Sequence, residues 1–187
     1  MNRSQRSWGA AGLSAAVVAI LWSAASANTG TSLAGAKVDN FMLPDQTGMG
    51  HELYYYNASP AIVLVSAADG DAVSTRAAAA LAKVRDAFQG KNVQFLMLDS
   101  SLSSPRGKLV GTPGSADLPV LSDELQLVGR ALGVTTTGEA FVVETKTWTI
   151  AYHGPIDNSF AKKKNKKANL TAAIWRSEER RVGKECR

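Results

Sequence analysis

The sequence predicts an α/β domain with a central mixed β-sheet and helices on both of its faces. Three observations carry that expectation. A short apolar run, a helix-periodic stretch and a second apolar run succeed one another between Ala61 and Leu98. Two extended segments then flank the short stretch Glu144–Thr147, and a final helical segment follows near the C-terminal end. Strands separated by a helix run parallel, whereas strands separated by a tight turn pair antiparallel, so a sheet holding both kinds is mixed.

Ala61-Ile62-Val63-Leu64-Val65 is continuously apolar, the pattern of a strand buried on both faces. Val73, Ala77, Leu81, Val84 and Phe88 then recur at helical spacing with Arg76, Lys83, Arg85 and Asp86 between them, and Gly90 ends the helix. Val93 to Leu98 supplies the next buried strand, so the two strands are parallel with a right-handed crossover. Ser100 to Asp117, rich in Ser, Gly and Pro, predicts a loop with at most a short helix around Lys108. Leu118 to Leu121 is a brief extended piece, and Leu125, Val128 and Leu132 predict a short helix ended by Gly133. Glu139 to Val143 and Trp148 to Tyr152 predict an antiparallel hairpin across Glu144–Thr147. Ala168 to Trp175 begins a last helix, which the foreign-looking residues after Trp175 are expected to interrupt. Tyr54-Tyr55-Tyr56 predicts a strand edge alternating between core and solvent. A β-α-β half followed by a β-β-α half is the thioredoxin architecture.

Both ends are expected to lie outside this domain. Met1 to Ser7 carries Arg3 and Arg6 without an acid, Ala10 to Trp22 is a short apolar stretch, and Ala25-Ser26-Ala27 offers small residues for cleavage. This is the pattern of a secretory signal peptide occupying residues 1–27; an uncleaved N-terminal anchor is the alternative. At the other end, Arg176 to Cys186 matches the in-frame translation of a common sequencing-library adapter, so residues 176–187 are expected to be foreign and the natural C-terminus to be missing. The domain is thus expected at residues 28–175, enough for a single core.

The whole chain holds 21 Lys+Arg and 16 Asp+Glu, for a formal charge of +5. Setting aside Arg3, Arg6 and the tail leaves 14 basic against 13 acidic residues between Asn28 and Trp175. The remaining basic run, Lys162-Lys163-Lys164-Asn165-Lys166-Lys167, has no aromatics among its lysines. Nucleic-acid binding would require a basic face with stacking residues, so that class is excluded and the run is expected to be a solvated loop leading into a helix, with a partner-docking patch as the alternative.

Four segments, in order, carry a family resemblance. Val38-Asp39-Asn40-Phe41-Met42-Leu43-Pro44-Asp45-Gln46-Thr47-Gly48 opens the domain, followed by Leu118-Pro119-Val120-Leu121-Ser122-Asp123, then Ala131-Leu132-Gly133-Val134, then Tyr152-His153-Gly154-Pro155-Ile156-Asp157. Together they resemble the redoxin and alkyl-hydroperoxide-reductase/thiol-specific-antioxidant (AhpC/TSA) families over nearly all of Phe41 to Ile174. The resemblance implies a thioredoxin-like fold and an antioxidant or oxidoreductase heritage.

The departures concern the thiol site. The family places a cysteine–proline pair at the start of the helix that follows the first core strand. Counted back from Leu81, that cysteine position falls on Asp71, with Ala72 in place of the proline and Ser74 where a second cysteine would stand. The family also sets a threonine–cis-proline pair before its third core strand, and here the pair is Thr137-Gly138. A non-proline cis bond costs about 2.5–4 kcal/mol, so this peptide is expected to be trans. The chain's only cysteine, Cys186, lies in the adapter-like tail.

A cysteine at a helix N-terminus is activated because the unpaired amides and the helix dipole stabilise its thiolate. Asp71 puts a fixed carboxylate in the same field. It is either a plain helix cap, worth about 1 kcal/mol over alanine, or a thiolate mimic that binds a cationic group on a partner. It cannot form a sulfenic acid or a mixed disulfide.

Other chemistry is thinly represented. Asp69-Gly70-Asp71 has too few oxygens for calcium. His51 and His153 stand on separate segments, without the paired cysteines a copper carrier uses, and are expected to be ordinary polar positions. Ser66, Ser74 and the serines between Ser100 and Ser104 lack a histidine–acid arrangement. Asn57-Ala58-Ser59 and Asn169-Leu170-Thr171 fit the glycosylation triplet, which matters only in a eukaryotic secretory host. The expectation is therefore a periplasmic or secreted redoxin-like protein with no catalytic residue in this domain. It has no cofactor, no metal and no membrane contact after cleavage, and its expected ligand is a protein partner. The alternative is an active thiol-disulfide oxidoreductase or peroxidase whose cysteine lies in a missing C-terminal part, where relatives of this type often carry one.

Overall fold

The computed structural model describes residues 33–101, 118–157, 159–160 and 170–185. The signal-like leader, the Lys108 region, the Lys162–Lys167 run, Asn169 and Cys186 fall outside them.

The chain opens with a small antiparallel hairpin, β1 (Met42–Pro44) and β2 (Gly50–Glu52). Its turn needs a left-handed residue, supplied by Gly48 at φ +87°. A 3-10 helix (Leu53–Ala58) follows, then β3 (Ala61–Ala67), α1 (Ala72–Ala87) and β4 (Gln94–Asp99). Next come β5 (Val120–Ser122), α2 (Leu127–Ala131), β6 (Glu139–Glu144), β7 (Thr149–Pro155) and α3 (Leu170–Glu185). Five strands form one sheet in the order β5-β4-β3-β6-β7. β3 runs parallel to β4 and β4 to β5, whereas β6 pairs antiparallel with both β3 and β7. The mixed sheet expected from the sequence is present.

β3 is central, and all seven of its residues are buried. Its alternate side chains enter two separate cores. Val63 and Val65 pack with Ala77, Ala78 and Leu81 of α1 and with Leu170 and Ile174 of α3. Ile62 and Leu64 point the other way, to Leu53, Val128 and Leu132. Helices thus cover both faces, which is why β3 shows no polar alternation.

Four local expectations need correction. Tyr54–Tyr56 is not a strand edge but part of the 3-10 helix. Successive residues of this tight helix point about a third of a turn apart, so the rings go in different directions: Tyr54 stacks on Trp148 at 4.1 Å, Tyr55 is 82% exposed, and Tyr56 meets His51. Leu125 is not on a buried helix face, for it is 74% exposed and α2 starts two residues later. The organiser of that helix is Asp123, whose carboxylate accepts from Leu127 N at 3.0 Å and Gly129 N at 2.8 Å. The β6–β7 turn begins one residue later than expected, because Glu144 still pairs with Thr149. Finally, the last helix is not interrupted at Trp175 but runs to Glu185. Ser177 and Glu178 are buried on it, and Glu178 lies 3.7 Å from Lys91. Glu, Arg and Lys are good helix formers, so the tail's composition continues the helix.

Candidate functional site

The site begins where β3 ends. Gly70, at φ +69°, turns the chain into α1, and Asp71 takes the extended conformation of an N-cap. Its carboxylate Oδ1 accepts from the Val73 amide at 3.1 Å, and its carbonyl accepts from the Thr75 amide at 3.2 Å. The predicted helix start is thereby located. Ser74 is 3% exposed, and its hydroxyl oxygen accepts from the Ala68 amide at 2.8 Å. That bond closes the β3–α1 loop on itself, leaving Ser74 with a structural role.

Gly138 lies against the same helix turn. A Cβ built on it would stand 3.5 Å from Val73 Cγ1, so the backbone brings together the two positions that the sequence singled out. The peptide is trans, and φ is +82°. Proline is confined to about −65°, so this backbone excludes it. The Gly138 N–H donates to the Ser66 carbonyl at 2.9 Å, which proline would also forbid. The ring of Phe160 occupies the space beside Gly138, 2.9 Å from the same built Cβ. The Arg76 guanidinium lies 5.8 Å from that ring's centroid, within cation–π range.

Ser66 anchors the approach to β6. Its hydroxyl donates to the Thr136 carbonyl at 2.7 Å and accepts from the Glu139 amide at 2.9 Å. Next to it, the ends of β3 and β4 and the start of α2 enclose a cavity of about 250 Å³ lined by Ser66, Ser100, Gln126, Arg130 and Thr136 among others. Its polar lining is largely committed internally: Ser100 donates to Asp123 at 2.8 Å, and Gln126 bonds both the Ser100 carbonyl and Arg130. Glu139 accepts from the amide and the hydroxyl of Thr135, a lining residue, at 2.9 and 2.6 Å. Burial raises its carboxyl, but hydrogen bonds from Thr135 and Thr136 and the nearby His153 bring it below the usual carboxylate range.

The two histidines do not meet. His153 stacks on Phe141 at 4.6 Å and lies 3.8 Å from Glu139. His51 is not an isolated polar position, for it bridges Asp45 and Tyr56 at 2.9 and 2.5 Å. The sequence showed Asp45 only as part of a turn motif, and nothing in the spacing pointed to Tyr56. Among the described residues no group of three or more His, Cys, Asp or Glu side chains is placed to hold a metal. Asp69 and Asp71 supply no such site. No helix among the described residues is long and apolar enough to cross a membrane.

A central mixed sheet covered by helices on both faces, with a strand-to-helix turn at the end of β3, defines a protein of the thioredoxin-like fold. Solved structures agree. A putative thiol:disulfide interchange protein DsbE from Chlorobium tepidum is 17% identical with a TM-score of 0.60, over 77% of this chain and 96% of that one. Peroxidoxin BcpB from Mycobacterium tuberculosis is 18% identical with a TM-score of 0.58, over 79% and 94%. The thioredoxin domain of a thiol-disulfide oxidoreductase from Bacteroides vulgatus is 11% identical with a TM-score of 0.57, over 80% and 97%. At these identities the likeness is one of fold. Residues 34–159 match the AhpC/TSA family, and the chain belongs to it. No curated protein matches the chain. The matched region contains no cysteine.

Proposed function

We propose that this AhpC/TSA-family protein is an exported binding or accessory module without thiol chemistry of its own. In this reading Asp71, Ser74 and Gly138 occupy the family's thiol-site positions, residues 1–27 are a signal peptide cleaved after Ala27, and the folded domain is residues 28–175. The observation that carries the reading is the pairing of two changes at one place: a carboxylate at the α1 N-terminus and, beside it, a glycine whose φ of +82° excludes proline. A thiolate site altered on one side alone would be a weaker sign. The helix field that would stabilise a thiolate acts equally on the Asp71 carboxylate, and a cationic group of a protein partner is the complementary ligand.

Capture of partners from periplasmic extract by the intact protein tests this reading. Asp71→Asn, which keeps the cap but removes the charge, should weaken capture, and Asp71→Lys, which reverses the charge, should weaken it more. Unchanged capture by both variants would leave Asp71 a plain helix cap and contradict a recognition role. The second reading, a thiol-disulfide oxidoreductase or peroxidase with its cysteine outside these residues, rests on the family membership. It predicts thiol-dependent turnover that requires a cysteine outside residues 34–159.

A further inference from the structure

Away from the α1 terminus, a part-buried hydrogen-bonded row ends on a phenol. Asp45, 8% exposed, sits in the β1–β2 turn and accepts from the Thr47 amide and hydroxyl and from the Met49 amide. Burial pushes its carboxyl up, but these bonds and the one from His51 bring it down to about 2. An ionised carboxylate only accepts, so His51 Nε2, 2.9 Å away, carries a proton and donates it. In the neutral ring Nδ1 is then the acceptor, and it faces the Tyr56 hydroxyl at 2.5 Å. With the ring neutral, this geometry is a phenol donating to an imidazole held in one tautomer by Asp45. Burial first, and then the Asp45 charge, raise the Tyr56 phenol above its ordinary range, so it does not ionise by itself.

The other tyrosines lack such an acceptor. Tyr54 donates to the Val38 carbonyl at 3.0 Å and Tyr152 to the Pro155 carbonyl at 2.6 Å, and a carbonyl oxygen takes up a proton poorly. Tyr55 is exposed.

We propose that Tyr56 is a redox-active tyrosine, with His51 as its proton acceptor and Asp45 as the residue that positions the acceptor. A one-electron oxidant, such as an organic peroxyl radical or an oxidised metal complex, removes one electron from the Tyr56 ring. In the same step the phenolic O–H bond breaks and its proton forms an N–H bond at His51 Nδ1. The products are a neutral tyrosyl radical, an imidazolium paired with the Asp45 carboxylate, and the oxidant reduced by one electron. A one-electron reductant such as ascorbate returns the electron to the ring while the proton moves back from Nδ1. The half-buried ring admits electron transfer from the surface, and the largely covered imidazole, its side chain 10% exposed, retains the proton for the return step.

Flash oxidation of the full chain by photogenerated tris(bipyridine)ruthenium(III), followed by tyrosyl absorbance and electron paramagnetic resonance, tests the proposal. The unsubstituted protein should give a tyrosyl signal that is lost in Tyr56→Phe and kept in Tyr55→Phe. His51→Gln keeps the phenol but removes the base, and should slow radical formation several-fold, up to about tenfold, the scale of one lost hydrogen bond between neutral groups. Oxidation of the unsubstituted protein should also slow in D2O, a measurement that needs no substitution and stands even if His51→Gln fails to fold. An undiminished signal in Tyr56→Phe, an unchanged rate in folded His51→Gln, or equal rates in H2O and D2O would overturn the proposal.

Discussion

Putting proline at position 138, which restores the family's Thr-Pro pair, should damage this domain more than putting alanine there. Gly138 has φ +82°, and a Cβ would lie 2.9 Å from Phe160 Cδ1. Alanine in the left-handed region costs about 1–2 kcal/mol, and the Phe160 ring can turn aside at the expense of its contact with Arg76. The expected loss for Gly138→Ala is therefore about 1–3 kcal/mol. Proline fixes φ near −65°, so the whole segment between Ser66 and β6 has to be rebuilt. It also removes the 2.9 Å bond from Gly138 N–H to the Ser66 carbonyl. Stranding that carbonyl within the sheet adds about 1–3 kcal/mol, so Gly138→Pro should lose at least about 3 kcal/mol. Urea unfolding followed by far-ultraviolet circular dichroism and tryptophan fluorescence measures both variants. Equal stability of the proline and alanine variants would refute the positive-φ argument and restore the family's backbone geometry at this position.

Three further outcomes are expected. Asp71→Ala should lose about 1 kcal/mol in the same unfolding assay, while Asp71→Asn and Asp71→Ser lose much less; equal stability of all three would place the start of α1 elsewhere. The Asp45 carboxyl falls from 3.8 to about 2 on folding, so its contribution to stability is complete above 3.8 and drains away as the pH drops toward 2. Unfolding measured across that acid range should show a shallower pH dependence for Asp45→Asn, and an unaltered slope would contradict the assignment. Intact mass of the exported protein should correspond to a chain beginning at Asn28, and a mature species retaining Met1 would indicate an anchor instead.

The elements legible in the sequence were those where a single interaction decides the conformation. β3 announces itself because both of its faces are buried and no polar residue interrupts Ala61–Val65. α1 is legible because Ala77 and Leu81 repeat on one buried face. Asp71 could be placed as a cap from its position before that repeat. Tyr54–Tyr56 could not be read, since three aromatics satisfy the period of a strand and of a tight helix equally, and the contact that decides between them, Tyr54 on Trp148, joins residues far apart in sequence. Asp45 and Asp123 resemble ordinary surface acids in composition. What buries them is a set of backbone amides, Thr47 and Met49 for one and Leu127 and Gly129 for the other, whose convergence only the folded chain displays. The cavity beside Ser66 is hidden for the same reason.

The most direct test of the proposed function is thiol-dependent turnover by the protein as it stands, with a Cys186→Ser variant beside it to account for the chain's single cysteine. Hydrogen peroxide consumption with a dithiol reductant, and reduction of insulin disulfides, should equal the buffer control for both proteins. Turnover above the control that persists in Cys186→Ser would contradict a domain without thiol chemistry, and turnover that disappears with Cys186 would contradict it equally, by placing the nucleophile at Cys186.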